Sequence, residues 1–471
     1  MQLDGFVQQA PDPGRRDRRD RGVTERFARD IPVVAAPEVL VVGGGSAGIA
    51  ASVAAARAGA KTMLIERYGF LGGTSTAALV GPIMTSFSTD GHERIVGGIF
   101  QEIVANMVAL GGAVDPATID RVNEYGGFIK HGHTHVTPFH PEALKLVAQE
   151  MVTEAGVDLL LHTTFVETLT DGRRAAGAIV TNKAGLGAIR AQVVVDTSAD
   201  GDVAASAGAP FAKGRPEDGK MQPATMFFRV GNVDDAAIQA WAREHPDQRL
   251  FESVVQAAKA RGEFMLPREY LNFYREPEPG VWRVNVTRVL GIDGTEPRSL
   301  TRGEVEGRRQ VWWLMNFMRE HCRGFERAQL LEAGTQLGVR ETRRIIGEYV
   351  LTGEDCLEGR RFPDAVARGS YLIDIHDPTG TRTQLTQIRA PFYDIPYRCL
   401  IPKETDGLLV AGRCISVDHV AFGSTRVIPQ CYATGQAAGA AAAMAVRSAR
   451  APRTVEAGAL RSAIRAAGGI C

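Results

Sequence analysis

The sequence predicts an α/β protein: a three-layer ββα unit built on a parallel sheet, with an α+β unit inserted into it. Three observations predict this. A greasy run, Val39-Leu40-Val41-Val42, ends in the turn Gly43-Gly44-Gly45 and restarts as an alanine-rich stretch from Ser46. A second run, Thr62-Met63-Leu64-Ile65, closes on Glu66. Two later runs, 192–196 and 407–412, are equally apolar and end on a polar residue or a glycine. Unbroken apolar runs, rather than alternating ones, fit strands covered on both faces, as a parallel sheet requires.

The elements follow in order. Residues 1–36 read as a flexible N-terminal arm: the stretch 11–21 is charged throughout and has no apolar period. No apolar segment follows its arginine pairs before the glycine turn, so an export signal is not expected. A mis-assigned start and a dimer-clasping arm are the readings left, and a homo-oligomer stays open. The first part of the parallel-sheet domain spans 37–210. It begins with a strand at 38–42, a helix at 46–58 and a strand at 61–66. A glycine-rich loop, 67–75, follows. Helices are predicted at 94–110 and 141–155, the latter with Pro141 in its first turn. A strand at 157–161, a small sheet over 164–196 and a loop at 197–202 lead into a helix at 202–207.

From 211 to 385 the character changes, with Trp282, Trp312, Trp313 and many arginines in the second half. This reads as a substrate or cap domain. Helices are predicted at 234–245, 248–260, 303–321 and 326–334, and strands at 225–230, 281–286 and 345–350. Trp312 and Trp313 are expected to fill its core. Residues 386–471 return to the first domain. There the helix 431–447 contains Gly435 and Gly439, suited to close packing on a sheet.

Composition narrows the function. A chain of 471 residues is long enough for two or three domains. Its 54 basic and 54 acidic residues cancel, so no net field draws it to nucleic acid or an anionic membrane. No run approaches the ~18 apolar residues of a membrane helix, and no membrane span is expected. The six cysteines form no CxxC pair. A metal cluster and a dithiol redox pair are therefore unsupported, and a reducing, cytoplasmic setting is expected.

The spacing Gly43-x-Gly45-x-x-Gly48 is that of a Rossmann-like dinucleotide turn. Gly43 allows the turn, Gly45 lets backbone approach a pyrophosphate, and Gly48 lets helix and strand pack closely. The helix start at Ser46 and Ala47 offers free N–H groups to negative charge. Glu66, ending the next strand, can accept both ribose hydroxyls and disfavours a 2′-phosphate. FAD and NAD are the candidates.

Three motifs choose between them: 43–48 running on into Glu66-Arg67-Tyr68-Gly69-Phe70-Leu71-Gly72-Gly73, then 196–204, then 407–414 with 421–436. With these, the chain resembles FAD-dependent oxidoreductases of the glutathione-reductase-like fold, in the branch with fumarate-reductase-like flavoproteins. The resemblance covers roughly 37–210 and 385–447. It implies an enzyme that binds FAD, with Gly43, Gly45 and Gly48 at the pyrophosphate and Glu66 at the ribose. Arg67, Gly73, Thr74 and Ser75 would run beside the diphosphate and ribityl chain. Phe165 and Val166 would give backbone contacts near the adenine. Asp200 and Asp202 would lie by the cofactor, and Gly412 and Arg413 would meet the diphosphate. Gly423, Ser424, Arg426 and Val427 would lie against the pyrimidine side of the flavin, where positive potential stabilises charge building on reduction. Thr74 stands where some relatives carry a flavin-attaching histidine, so noncovalent FAD is expected. Ala199 replaces a glycine often found in the middle motif.

Catalytic candidates are His419, His133 and Arg340. His419 precedes the flavin-facing loop and is expected to face the isoalloxazine. His131, His133 and His135 alternate, which would suit a pocket wall or a metal on a strand, but Gly132 and Pro138 favour a loop and no metal is expected. His140 is expected to cap or pack. Arg340 or Arg343 would clamp a carboxylate or carbonyl, with an ion pair to Glu341 or Glu348 as the competing reading. The leading function is an FAD-dependent oxidoreductase that dehydrogenates a small molecule by hydride transfer to flavin N5. Its electron acceptor is left as oxygen, a quinone or a redox protein. A flavin monooxygenase or C=C reductase is the alternative, and a noncatalytic or electron-transfer flavoprotein the reading beyond that.

Overall fold

A computed structural model describes residues 25–119, 122–130 and 133–471. The arginine-rich stretch 11–21 and His131 lie outside the described residues.

The centre is a five-stranded parallel sheet. Its strand order is Leu408–Val410, Val193–Asp196, Val39–Val42, Thr62–Ile65, Asp158–Leu160. The first four of these are buried along their whole length. Fully burying a Val or Leu is worth roughly 1.5–3 kcal/mol, so these short strands carry much of the fold. The register places Val42 beside both Ile65 and Asp196, and Asp196 beside Val410. Their C-terminal ends therefore open side by side, where α/β sheets bind ligands.

An antiparallel meander of Thr164–Asp171, Arg174–Asn182 and Gly185–Arg190 forms the second layer. Val33–Ala35 adds a fourth strand, parallel to Gly185–Arg190. The expected N-terminal arm thus enters the fold before residue 36. Helices form the third layer. The predicted helices at 46–58, 94–110 and 141–155 are Ser46–Arg57, Ile99–Ala109 and Pro141–Glu154.

The predicted helix 431–447 starts earlier, as Ile428–Ser448. Its closest approach is to another helix, not to the sheet. A Cβ on Gly435 would fall 2.2 Å from Ala47 O, and one on Gly439 would fall 2.1 Å from Ala51 O. The two helix backbones touch, and that contact anchors the N-terminal ends of both helices at one site.

A second core, from Ala224 to Leu337, is separate from the first. Its sheet runs Phe273–Arg275, Trp282–Val284, Phe228–Gly231, Gln329–Ala333, all antiparallel. Helices Asp235–Glu244, Glu252–Ala260 and Pro297–His321 belong to this part of the chain. The predicted helix at 326–334 is instead the strand Gln329–Ala333, because it completes the ladder beside Phe228–Gly231. The strand predicted at 345–350 is shifted to Arg343–Ile345, where it pairs with Phe211–Lys213. Trp282 is fully buried, but Trp312 is 58% exposed on the outer face of its helix, so only Trp313 of that pair packs on the core. From Ile345 onward the chain packs into the first core, well before residue 385. Among the described residues, no helix is long and apolar enough to cross a membrane.

Candidate active site

One cavity runs from the sheet's C-terminal edge to the second core. At its outer end it is lined by Glu66, Thr163, Thr164 and Phe165. Glu66 closes the second strand, and its carboxylate accepts from Gly44 N at 2.6 Å and Tyr68 N at 2.9 Å. These bonds hold the acid at the mouth of the glycine turn.

The middle of the cavity is lined by Gly43, Gly45, Ser46, Ala47, Arg67, Gly73, Thr74, Asp200, Asp202, Gly412 and Arg413. Gly43 has φ +105°, a conformation other residues strongly disfavour. A Cβ on Gly48 would fall 1.8 Å from Gly43 O, which seats the helix on the turn. A Cβ on Gly45 would meet only Gly73 Cα, at 3.6 Å, so its open side belongs to the cavity. The loop after the Val193–Asp196 strand is shaped by Asp196, whose carboxylate accepts from Ser198 N, Ser198 Oγ and Ala204 N. Burial lifts the Asp196 carboxyl to about 6. Arg413 donates to Val339 O at 2.8 Å and to Asp200, and Arg343 pairs with Asp202 at 2.8 Å.

The inner end is a chamber. Its wall includes His133, Arg249, Tyr270, Tyr274, Arg340, Tyr371, Asp374, His376 and Arg426. Asp374 and His376 share one strand, Ile373–His376, and its partner strand places Thr383 opposite His376. His376 Nε2 lies 3.2 Å from Asp374 Oδ2, and its Nδ1 lies 3.2 Å from Thr383 Oγ1. A carboxylate only accepts, so Nε2 carries the proton. Burial, with Arg340 nearby, pushes His376 down to about 3 against the pull of Asp374. Burial opposes ionisation of Asp374 too, but His376 and Arg426 outweigh it and hold that carboxyl below its usual range.

His133 Nδ1 lies 3.2 Å from Gly126 O. A carbonyl also only accepts, so the bare nitrogen of His133 is Nε2. Burial pushes this histidine down to about 4, and the ring is neutral near pH 7. Arg340 donates through Nη1 to Pro223 O and Thr225 Oγ1, each at 2.7 Å. Burial and neighbouring arginines push its pKa well down. Burial also raises the Tyr371 phenol far above its ordinary value and the Tyr274 phenol to about 12, so both stay protonated.

A family model for FAD dependent oxidoreductases matches residues 38–464. The chain belongs to that family. It is an FAD-dependent enzyme. No curated protein matches the chain. Solved structures similar to it include a geranylgeranyl bacteriochlorophyll reductase-like protein from Thermoplasma acidophilum, at 14% identity and TM-score 0.45, over 92% of this chain and 83% of that one. Another is p-nitrophenol 4-monooxygenase from Pseudomonas putida DLL-E4, at 14% identity and TM-score 0.45, over 88% of this chain and 82% of that one.

The residues fit FAD. Neither Gly45 nor Val427, the N-caps of two long helices at the cavity, supplies a side-chain cap, and neither helix has an acid in its first turn. Both ends are left open to negative charge. Among the described residues, Arg413 Nε and Arg426 Nε have no hydrogen-bond partner and are buried.

The expected site residues divide. Gly43, Gly45, Ser46, Ala47, Glu66, Arg67, Gly73, Thr74, Phe165, Asp200, Asp202, Gly412, Arg413, Arg426 and Val427 line the cavity, as do His133 and Arg340. Gly48, Ser75, Val166, Gly423 and Ser424 do not. Val166 is 45% exposed, and Ser75 Oγ is buried without a partner. A Cβ on Gly423 would press on the Asp374 backbone, and Ser424 bonds Tyr393 at 2.7 Å, so this pair braces the chamber from behind.

His419 is a correction. It does not line the cavity. Asp418 caps the helix that begins at His419, and the ring sits 2.9 Å from Glu341 Oε1 in a buried cluster with Arg344. Arg343 clamps Asp202 rather than facing the chamber. His135 stacks on Phe87 at 4.4 Å, whereas His133 packs near Tyr274 on the cavity wall. His140 caps the Pro141–Glu154 helix through Glu142 N.

Thr163, Thr164, Arg249, Tyr270, Tyr371, Asp374 and His376 were missed. One signal was present: Asp374 and His376 alternate within an apolar stretch, which puts both on one face of a strand.

Proposed function

We propose that the enzyme oxidises a small organic molecule held in the inner chamber. FAD, when bound, supplies a two-electron acceptor for hydride. The observation that carries the reading is the bare Nε2 of His133 on the chamber wall. Oxidation at a C–H bond beside oxygen or nitrogen releases a proton together with the hydride, and that proton needs a base within hydrogen-bond reach. A neutral histidine with Nδ1 fixed on a carbonyl offers Nε2 for this role. Tyr371, kept protonated, can donate to a substrate oxygen. Arg340 would orient the substrate, and the Asp374–His376 pair would hold the chamber wall in one hydrogen-bonded arrangement.

Glu66 with Thr163 and Thr164 would hold the adenosine end of FAD. The Gly43–Gly45 turn and Arg413 would hold the diphosphate, and Arg426 with the helix end at Val427 would hold the flavin end. Thr74, in place of an attaching histidine, supports noncovalent binding. The order of the three motifs supports a place in the glutathione-reductase-like branch that includes fumarate-reductase-like flavoproteins. We read 211–385 as the substrate unit, its part from Ile345 onward packing on the first core.

The test is anaerobic mixing of the FAD-loaded protein with alcohols, amines and hydroxy acids, without nicotinamide nucleotide. Bleaching of the oxidised flavin band by a donor, slowed about 100-fold in His133→Gln, is expected. Bleaching by NADPH alone would assign the enzyme to the monooxygenase or reductase class instead.

A further inference from the structure

We propose that the substrate carries an oxyanion, a carboxylate or a phosphate ester, and that Arg340 with Arg249 binds it. This rests on the oxidation reading above and narrows it to a substrate class.

Three arginines stand on the chamber wall: Arg249, Arg340 and Arg426. Among the described residues, only Arg426 of the three has a carboxylate, Asp374, at 3.3 Å. Asp374 is already shared with His376. Arg249 stacks on Tyr270, its guanidinium carbon 3.8 Å from the ring centroid. Neither Arg249 nor Arg340 ion-pairs with a carboxylate among the described residues. Arg340 uses Nη1 on a carbonyl and a hydroxyl, and among the described residues no protein hydrogen bond holds its Nη2 or Nε.

Two more arginines lie just behind the wall. Arg268 is 2% exposed and donates to Val286 O, and Arg288 is 1% exposed and donates to Asp377 O. These bonds use carbonyl oxygens, which solvate the cations without cancelling their charge. Arginine stays charged in proteins, so the excess cannot be relieved by losing a proton. An uncompensated buried cation is costly, and the cost is removed when an anion enters. A guanidinium with a free edge matches the paired oxygens of a carboxylate or phosphate. With Arg426 and the helix start at Val427 assigned to the flavin end in the reading above, Arg249 and Arg340 are left for a second anion.

The experiment titrates the full-length, FAD-loaded, oxidised protein and follows perturbation of its visible flavin spectrum. The probes are lactate and benzoate, glycerol phosphate, and the neutral analogues lactamide and benzamide. Oxidised flavin has a neutral ring, so an anion effect at this stage belongs to the protein. Saturable perturbation by carboxylate or phosphate, at least tenfold weaker for the amides, is expected. The stronger of the two anion arms identifies the group. Arg340→Gln should weaken anion binding tenfold or more, with Arg340→Lys recovering part of it and FAD content unchanged. Should Arg340→Gln fail to retain FAD, Arg249→Gln serves as the second variant with the same expected loss. Equal binding of amides and anions, unchanged binding in the variants, or no perturbation by any anion up to its solubility limit would overturn the proposal. Anion binding without bleaching by any donor would remove the oxidation reading and leave the oxyanion site standing. Bleaching by neutral donors alone would do the reverse.

Discussion

Asp374 Oδ2 lies 3.2 Å from His376 Nε2, two residues along the same strand, and the pair forms part of the chamber wall. The carboxylate fixes the proton on Nε2, and Arg426 completes its coordination from the helix side. Asp374→Asn should therefore cost about 1–3 kcal/mol of stability, as expected for one partner lost from a buried polar network. Urea unfolding of the FAD-free protein measures this. A change within error would mean the pair is incidental to the fold.

Acid stability should reflect two histidines whose pKa values burial depresses. In the folded protein His376 sits near 3 and His133 near 4, against 6.5 unfolded. Below pH 6.5 the unfolded chain takes up protons that the folded chain refuses, so stability falls as pH drops from 6.5 towards 4. Asp196 acts the other way: its carboxyl, lifted to about 6, is protonated first in the folded state and adds stability as pH falls from 6 to 3.8. Thermal midpoints in buffers from pH 7 to pH 4 should fall less steeply in His376→Gln than in the parent chain.

The glycine turn separates folding from cofactor binding. A Cβ on Gly45 meets nothing closer than 3.6 Å, so Gly45→Ala should leave FAD-free stability within about 0.5 kcal/mol. The same methyl enters the cavity that Gly45 lines, and FAD affinity should fall at least tenfold. Gly48→Ala should lower stability itself, because its Cβ would fall 1.8 Å from Gly43 O. Calorimetry with and without FAD distinguishes the two.

The helix pair below the turn has no slack. Gly439→Ala places a methyl 2.1 Å from Ala51 O and should destabilise the protein by about 1–3 kcal/mol. Denaturant midpoints check this. FAD affinity should fall in parallel, since Ala47 on the same helix lines the cavity.

The glycine-turn end of the cavity was readable because a tight strand-to-helix turn constrains backbone. A turn with positive φ, a close helix and an acid at a strand end leave marks at fixed spacing, and Gly43, Gly45 and Glu66 carry them. The chamber was harder to read because its walls come from distant segments. His133, Arg249, Tyr274, Arg340 and Asp374 meet only once the second core has folded against the first. His419 misled for a related reason. Asp418 starts a helix there and delivers the ring to Glu341. Trp312 misled because a long helix has an outer face, and sequence neighbours on a helix do not share a side.

The most direct measurement is anaerobic single-turnover reduction of the FAD-loaded protein by a donor found in the screen, with and without deuterium at the carbon to be oxidised. Oxidation in the chamber predicts bleaching without nicotinamide nucleotide, severalfold slower for the deuterated donor, and lost in His133→Gln while FAD stays bound. Bleaching that requires NADPH and shows no isotope effect from the donor would contradict it.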